Sequence, residues 1–111
     1  MVINHSYRDG ILMIVLPKKL DTDSAPVLEV DLKNMMQTSF QNMLFDCSGM
    51  DYISSAGIRV LLSTSKTLIK SGKKVAFCCL KPNISQVFEI GGFTKIFPIF
   101  NSQDSALKGL K

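Results

Sequence analysis

The sequence predicts an α/β domain: a mixed sheet of about five strands, opened by a hairpin and covered by about four helices. Three observations carry that expectation. The apolar runs Ile11–Leu16, Met43-Leu44-Phe45 and Val75–Leu80 have strand length and do not alternate, the pattern of strands covered on both faces. Between them lie longer stretches whose apolar residues recur at helical spacing. Asp9-Gly10 separates the first two strand candidates, where a two-residue hairpin turn favours that dipeptide.

In chain order, residues 3–8 predict an edge strand that hairpins into Ile11–Leu16, and Pro17 stops the second strand for want of a ladder donor. Residues 18–24 form a polar loop. Ser24 or Asp23 caps a first helix with Pro26 in its first turn and Leu28, Leu32, Met35 and Met36 on its apolar side. The buried strand at Met43-Leu44-Phe45 follows, then a turn at Ser48-Gly49. A second helix from about Ser55 to Ser71 is capped by Ser54 or Ser55 and closed by Gly72. Its expected inward stripe is Ile58, Leu61, Leu62, Ser65, Leu68 and Ile69, with Arg59, Ser63, Lys66 and Lys70 toward water. Val75–Leu80 is the next buried strand. Lys81-Pro82-Asn83 opens a short helix closed by Gly91-Gly92, and Ile96–Phe100 predicts a last strand, kept to an edge by Pro98. A closing helix capped by Ser102 turns Ala106, Leu107 and Leu110 inward.

Length and composition bound the function classes. One domain spanning 1–111 is expected from 111 residues, of which 46% are hydrophobic and 20% charged. No apolar run approaches the ~20 residues of a membrane span, and Met1-Val2-Ile3 runs into polar Asn4-His5-Ser6 without the pattern of a leader. A cytoplasmic protein with no membrane partner is the expectation. The net charge of +4 is spread over lysines, several near a helix end. With only Arg8 and Arg59 and no tryptophan, the dense basic and aromatic face of a nucleic-acid binder is missing, so no direct nucleic-acid contact is expected.

Catalytic and metal chemistry finds little material. His5 is the single histidine, and Cys47, Cys78 and Cys79 lack C-x-x-C spacing, so the cysteines read as small core residues of a reduced compartment, with no metal or cofactor. No phosphate-cradling G-x-x-x-x-G-K-[ST] or G-x-G-x-x-G occurs, and Ile53 stands where a nucleophile elbow serving Ser55 would need glycine. Asp46 and Lys81-Pro82 invite comparison with a phospho-acceptor receiver. However, the first long strand ends in Leu16-Pro17-Lys18-Lys19 instead of the acidic pair that would hold magnesium, and Asp46 and Lys81 lie too close in sequence. An enzyme is not expected.

What remains is the serine pair. A serine at a helix N-terminus sits where backbone N–H groups and the positive dipole end favour an anion, although capping alone would account for its presence. In α/β sheets functional groups gather where strands end and helices begin, and Asp21-Thr22-Asp23 is a second such place, expected near the first.

The stretch Asp46-x-Ser48-Gly49-x-Asp51-Tyr52-Ile53-Ser54-Ser55-Ala56-Gly57-Ile58-Arg59-Val60-Leu61 resembles the signature of the STAS domain, the anti-sigma-factor antagonist family. Leu20-Asp21 with Ser24-Ala25 is similar to that family's loop before its first helix. Val87-Phe88-x-x-Gly91-Gly92-Phe93-x-Lys95-Ile96-Phe97 is similar to its C-terminal segment. The resemblance implies a STAS-type fold and a protein switch without catalysis of its own. In that family, the resemblance implies, the unmodified domain binds an anti-sigma factor that is also a serine kinase and so frees the sigma factor. Phosphorylation at the start of this helix breaks the complex, and a PP2C-type phosphatase restores the serine. Ser55 matches the family's first hydroxyl position, Ala56 fills the second and cannot accept phosphate, and Ser54, standing where the family often has aspartate, is the alternate acceptor. Asp21, Asp23, Ser54, Ser55, Gly57 and Arg59 are the partner-binding candidates, with capping an equal account of the two aspartates. Met50 and Ile53 are open between interface anchors and core. The competing reading is a STAS scaffold or sensory module that is never phosphorylated and binds a protein or small ligand.

Overall fold

The computed structural model describes residues 3–38 and 40–110. Met1, Val2, Ser39 and Lys111 lie outside them, and with them the first two residues read above for a leader. The elements run β1 (His5–Arg8), β2 (Ile11–Val15), β3 (Lys19–Leu20), α1 (Ser24–Thr38), β4 (Asn42–Asp46), β5 (Tyr52–Ile53), α2 (Ser55–Lys70), β6 (Val75–Cys78), α3 (Pro82–Ile90), β7 (Ile99–Phe100) and α4 (Gln103–Gly109). The main sheet has the order β1-β2-β4-β6-β7. The β1–β2 hairpin is antiparallel and every later pairing in that sheet is parallel, as a hairpin-first mixed sheet requires.

The continuous apolar runs are explained by two different coverings. Leu12, Ile14, Met43, Phe45, Val75 and Phe77 face a core shared with Leu28 and Leu32 of α1, Val60, Leu61 and Leu68 of α2, and Ile84 and Phe88 of α3. The alternate residues Ile11, Met13, Leu44, Ala76 and Cys78 face α4 through Ala106, Leu107 and Leu110. Side chains of a strand alternate faces, so a strand buried on both must be apolar at every position. Phe77 centres the larger core, stacked on Phe45 at 5.0 Å and edge-on to Phe88 at 5.3 Å. No helix among the described residues is long and apolar enough to cross a membrane.

Four expectations are corrected and one open alternative is decided. Lys19–Leu20 and Tyr52–Ile53, read as loop and turn, pair as a small parallel sheet of their own. The last strand shrinks to Ile99–Phe100. Residues Phe93–Lys95 form a 3-10 turn after the left-handed Gly92, which leaves Ile96 exposed and buries Phe97 outside any strand. The strand at Val75 ends at Cys78 because Cys79 takes φ +64°. Of the two readings left open for Met50 and Ile53, the structure takes the core. The buried stripe of α2 is turned toward Gly57, Val60 and Thr64, so Ile69 is 48% exposed. The reason for that rotation lies at the start of the helix.

Candidate functional site

The site is built on the smallest element of the fold. In the two-residue parallel pair, Leu20 stands opposite Ile53, and both side chains are buried. The ladder continues one step further, where the Ser54 N–H donates to the Leu20 carbonyl at 2.9 Å. Each strand therefore delivers its chain directly into a helix: β3 into α1 through Asp21, β5 into α2 through Ser54. By that register Asp21 and Ser54 are neighbours, and two helix N-termini emerge side by side. The expected proximity of the Asp21-Thr22-Asp23 loop to the serine turn is met.

At α2 the structure separates the two serines. Ser54 is the N-cap, with extended backbone (φ −97°, ψ 172°), and its hydroxyl accepts from the Gly57 N–H at 3.2 Å. Its carbonyl accepts the first helical bond, from Ile58 N–H at 3.0 Å. Ser55 is the first helical residue; it is exposed, and its hydroxyl makes no hydrogen bond to the described residues. Arg59 lies four residues on, exposed on the same face of the helix as Ser55.

Gly57 fixes how the helix sits. A Cβ at this position would lie 2.6 Å from the Leu20 carbonyl oxygen, 2.7 Å from Leu20 Cγ and 3.0 Å from Ile53 Cγ1. The obstructing oxygen is backbone already held in a hydrogen bond, so it cannot step aside. Glycine lets α2 ride directly on β3, which sets the helix's rotation and so explains the displaced stripe. Gly57, named above as a partner-binding candidate, is buried, and the role that the geometry gives it is this close approach.

At α1 the cap is Asp21, three residues earlier than Ser24 and two earlier than Asp23. Asp21 Oδ1 accepts from the N–H groups of Asp23 (3.1 Å) and Ser24 (3.0 Å), and the Ser24 hydroxyl accepts in return from the Asp21 N–H at 2.9 Å. The Ala25 N–H reaches the Asp21 carbonyl at 2.9 Å. This is the reciprocal capping box, and the Ser24 N–H in particular holds the Asp21 carboxyl below its ordinary pKa. Asp23 is exposed.

The turn between β4 and β5 is held at both ends. Asp46, read from the sequence as a strand-end residue that bonds the turn, accepts from the Ser48 N–H at 3.0 Å. Asp51 pairs with Lys81 at the start of α3 and with Lys18 at 3.8 Å, and its carbonyl accepts from Asn83 Nδ2 at 2.8 Å. The Lys81 ammonium above all holds the Asp51 carboxyl below its ordinary pKa. Sequence reasoning missed the Asp51–Lys81 pair, and it missed Tyr52, 51% exposed on β5 immediately before the serines. Neither carries a local sequence signal, since β5 is two residues long and Lys81 lies thirty residues from Asp51. A cleft of about 440 Å³ between α1 and the end of β2, bordered by Ser24, Val27, Leu28 and Leu16, opens beside the first turn of α1. One group of metal-ligating side chains comes together among the described residues, Asp46 with Cys78 and Cys79. It does not include Ser55, and burial pushes the Cys78 thiol well above its ordinary pKa.

Comparison with known proteins agrees with this fold. The STAS domain family model matches residues 3–106. A relative from Bordetella bronchiseptica, BtrV, named as an anti-sigma factor antagonist, is 37% identical over 103 residues, covering 93% of this chain and 89% of its own. An anti-sigma factor antagonist of Mycobacterium paratuberculosis shares the fold at TM-score 0.88 and 21% identity, over 98% of this chain and 92% of that one. The Bacillus cell fate determinant SpoIIAA, solved in its phosphorylated form, superposes at TM-score 0.78 and 12% identity, over 99% and 100% of the two chains.

Proposed function

The chain belongs to the STAS domain family, and from that premise we propose that it is an anti-sigma-factor antagonist switched by phosphorylation of Ser55. One observation carries the choice of residue. The hydroxyl of Ser54 is spent on the helix cap, whereas that of Ser55 is exposed at the first position of the helix. The relatives named as anti-sigma factor antagonists support the partner class.

In the unmodified state the surface around Ser55, with Asp23, Tyr52 and Arg59 exposed beside it, receives an anti-sigma factor that is also a serine kinase. The kinase brings the catalytic groups, and this chain supplies the acceptor hydroxyl. Phosphate adds ~1.5–2 negative charges and three acceptor oxygens. At a helix N-terminus the backbone dipole accommodates that charge, so the fold survives. At the interface the same charge must be desolvated, and a coupling of ~1–3 kcal/mol weakens binding about 5- to 150-fold. A PP2C-type phosphatase resets the serine.

The test is peptide mass spectrometry on protein recovered from its own cells, together with Ser54→Ala and Ser55→Ala variants. The expected result is a single phosphate on the peptide carrying both serines, kept in Ser54→Ala and lost in Ser55→Ala. Phosphate that persists in Ser55→Ala, or a peptide unmodified in every growth phase and after incubation with candidate kinases and ATP, would overturn the assignment. The second outcome would favour the unmodified scaffold.

A further inference from the structure

On the other face of the sheet, away from the core that α2 packs against, a different chemistry is assembled. Asp46 and Cys78 are directly paired across the parallel β4–β6 ladder, so their side chains leave the same face. Cys79, the next residue, would point to the opposite face if the strand continued. Its left-handed backbone, φ +64°, is one that residues other than glycine adopt rarely. That bend returns its sulfur to the α4 side, where Cys78 and Cys79 both pack. As a result the two sulfurs and an Asp46 carboxylate oxygen lie within 4.8 Å of one another. The edge of a tetrahedron with ~2.3 Å metal–sulfur bonds is about 3.8 Å, so small side-chain rotations close the gap.

The surroundings favour a cation there. Asp46 is 5% exposed, and among the described residues no lysine or arginine pairs with it. Its oxygens are met by neutral donors, the Ser48 N–H at 3.0 Å and Gln103 Nε2 at 2.6 Å. A buried carboxylate without a countercharge is costly. The Gln103 contact has the form of the outer hydrogen bonds that orient ligating carboxylates. The Asn101 carbonyl, which accepts from the Cys79 thiol at 3.7 Å, brings a further oxygen to the same place.

We propose that Asp46, Cys78 and Cys79 bind a thiophilic divalent cation of the zinc class, with the Asn101 carbonyl or water as the remaining ligand. On binding, two S–H bonds give way to two sulfur–metal bonds, two protons leave to solvent, and the carboxylate coordinates as it stands. The cation would tie the ends of β4 and β6 to the segment leading into α4. The proposal is independent of the Ser55 switch.

The experiment is a titration of the reduced, full-length chain with Co²⁺, followed by Zn²⁺ as competitor. Thiolate-to-cobalt charge transfer in the near ultraviolet, bleached by one equivalent of Zn²⁺, is expected. Cys79→Ser, at a half-exposed position, should abolish the band while the circular dichroism stays native. Gln103→Ala should weaken Zn²⁺ affinity roughly 10- to 100-fold. Cys47→Ala, on the opposite face of the sheet, should leave both unchanged. No charge-transfer band with the folded wild type, a band that survives Cys79→Ser, or one lost equally in Cys47→Ala would overturn the proposal. Should Cys79→Ser fail to fold, unchanged Zn²⁺ affinity in Gln103→Ala would do so. Loss of two titratable thiols in air without metal uptake would replace the site with a disulfide-forming pair.

Discussion

The two helix N-termini that stand side by side are solved differently. At α1 the orphan N–H groups and the positive dipole end meet a carboxylate, Asp21, in a closed reciprocal box. At α2 they meet the neutral hydroxyl of Ser54, and an exposed serine follows. One terminus already carries its negative charge, while the other can acquire one. The difference shows how two serine- and aspartate-rich turns of similar composition come to present different charge at their helix termini. On the switch proposed above, an uncharged second cap leaves room for the charge that phosphate would bring.

The comparison can be broken most severely at Gly57. Gly57→Ala drives a methyl against the Leu20 carbonyl, and overpacking of this kind costs ~1–3 kcal/mol or more. A lower Cm in urea at unchanged m is expected, along with weaker partner binding, because α2 must lift off β3. Wild-type stability in that variant would show that the close approach is not needed. Ser54→Ala comes next and should cost about 1 kcal/mol by the usual value of an N-cap, read from the same denaturation curves. It should leave Ser55 as the phosphorylated residue.

Charge sharpens the comparison. Ser55→Asp should stabilise α2 by ~0.3–1 kcal/mol at low salt while weakening partner binding, whereas Thr22→Asp, set between Asp21 and Asp23, should give no gain. Equal thermal shifts for the two variants would mean that the termini do not differ in the way described. The smallest effect is expected from Asp21→Asn, since asparagine caps about as well as aspartate. Its signature is in acid. The folded Asp21 carboxyl lies below its ordinary value of 3.8, so its contribution is present above that value and is lost as pH falls through the lowered one. Asp21→Asn should flatten the fall in stability as pH drops below the ordinary carboxylate value of 3.8, with the part due to Asp51 remaining. An acid limb identical to wild type would remove Asp21 as the charged cap.

The legible parts of the fold were those with local cause. The runs at Ile11, Met43 and Val75, the stop at Gly72 and the cap at Ser102 follow from periodicity and turn chemistry, as does a serine cap on α2, with Ser54 chosen over Ser55 only by the structure. The pairing of Lys19–Leu20 with Tyr52–Ile53 does not, because two residues cannot display an alternation and only tertiary contact makes them strands. Asp21, Asp23 and Ser24 are nearly equal as caps by propensity, so the choice among them waits on how the chain leaves β3. At the site, Arg59 was legible as a residue facing water, and Ser55 and Asp23 as residues near a helix start. Tyr52, the Asp51–Lys81 pair and the burial of Met50 depend on where α3 and the core come to rest. Asp46, Cys78 and Cys79 became neighbours through a ladder between distant segments and one left-handed residue, neither of which the cysteine spacing could announce.

The contact that seats α2 is made with a main-chain carbonyl. Every sequence carries that atom, so the position of the Ser55 hydroxyl does not depend on which side chains face outward around it. Exchanging Tyr52, Asp23 and Arg59 for others should therefore leave that hydroxyl where it is. A cell running several such relays in parallel could keep one modification chemistry for all of them and insulate each by its surface alone, and an engineer could reroute a relay in the same way.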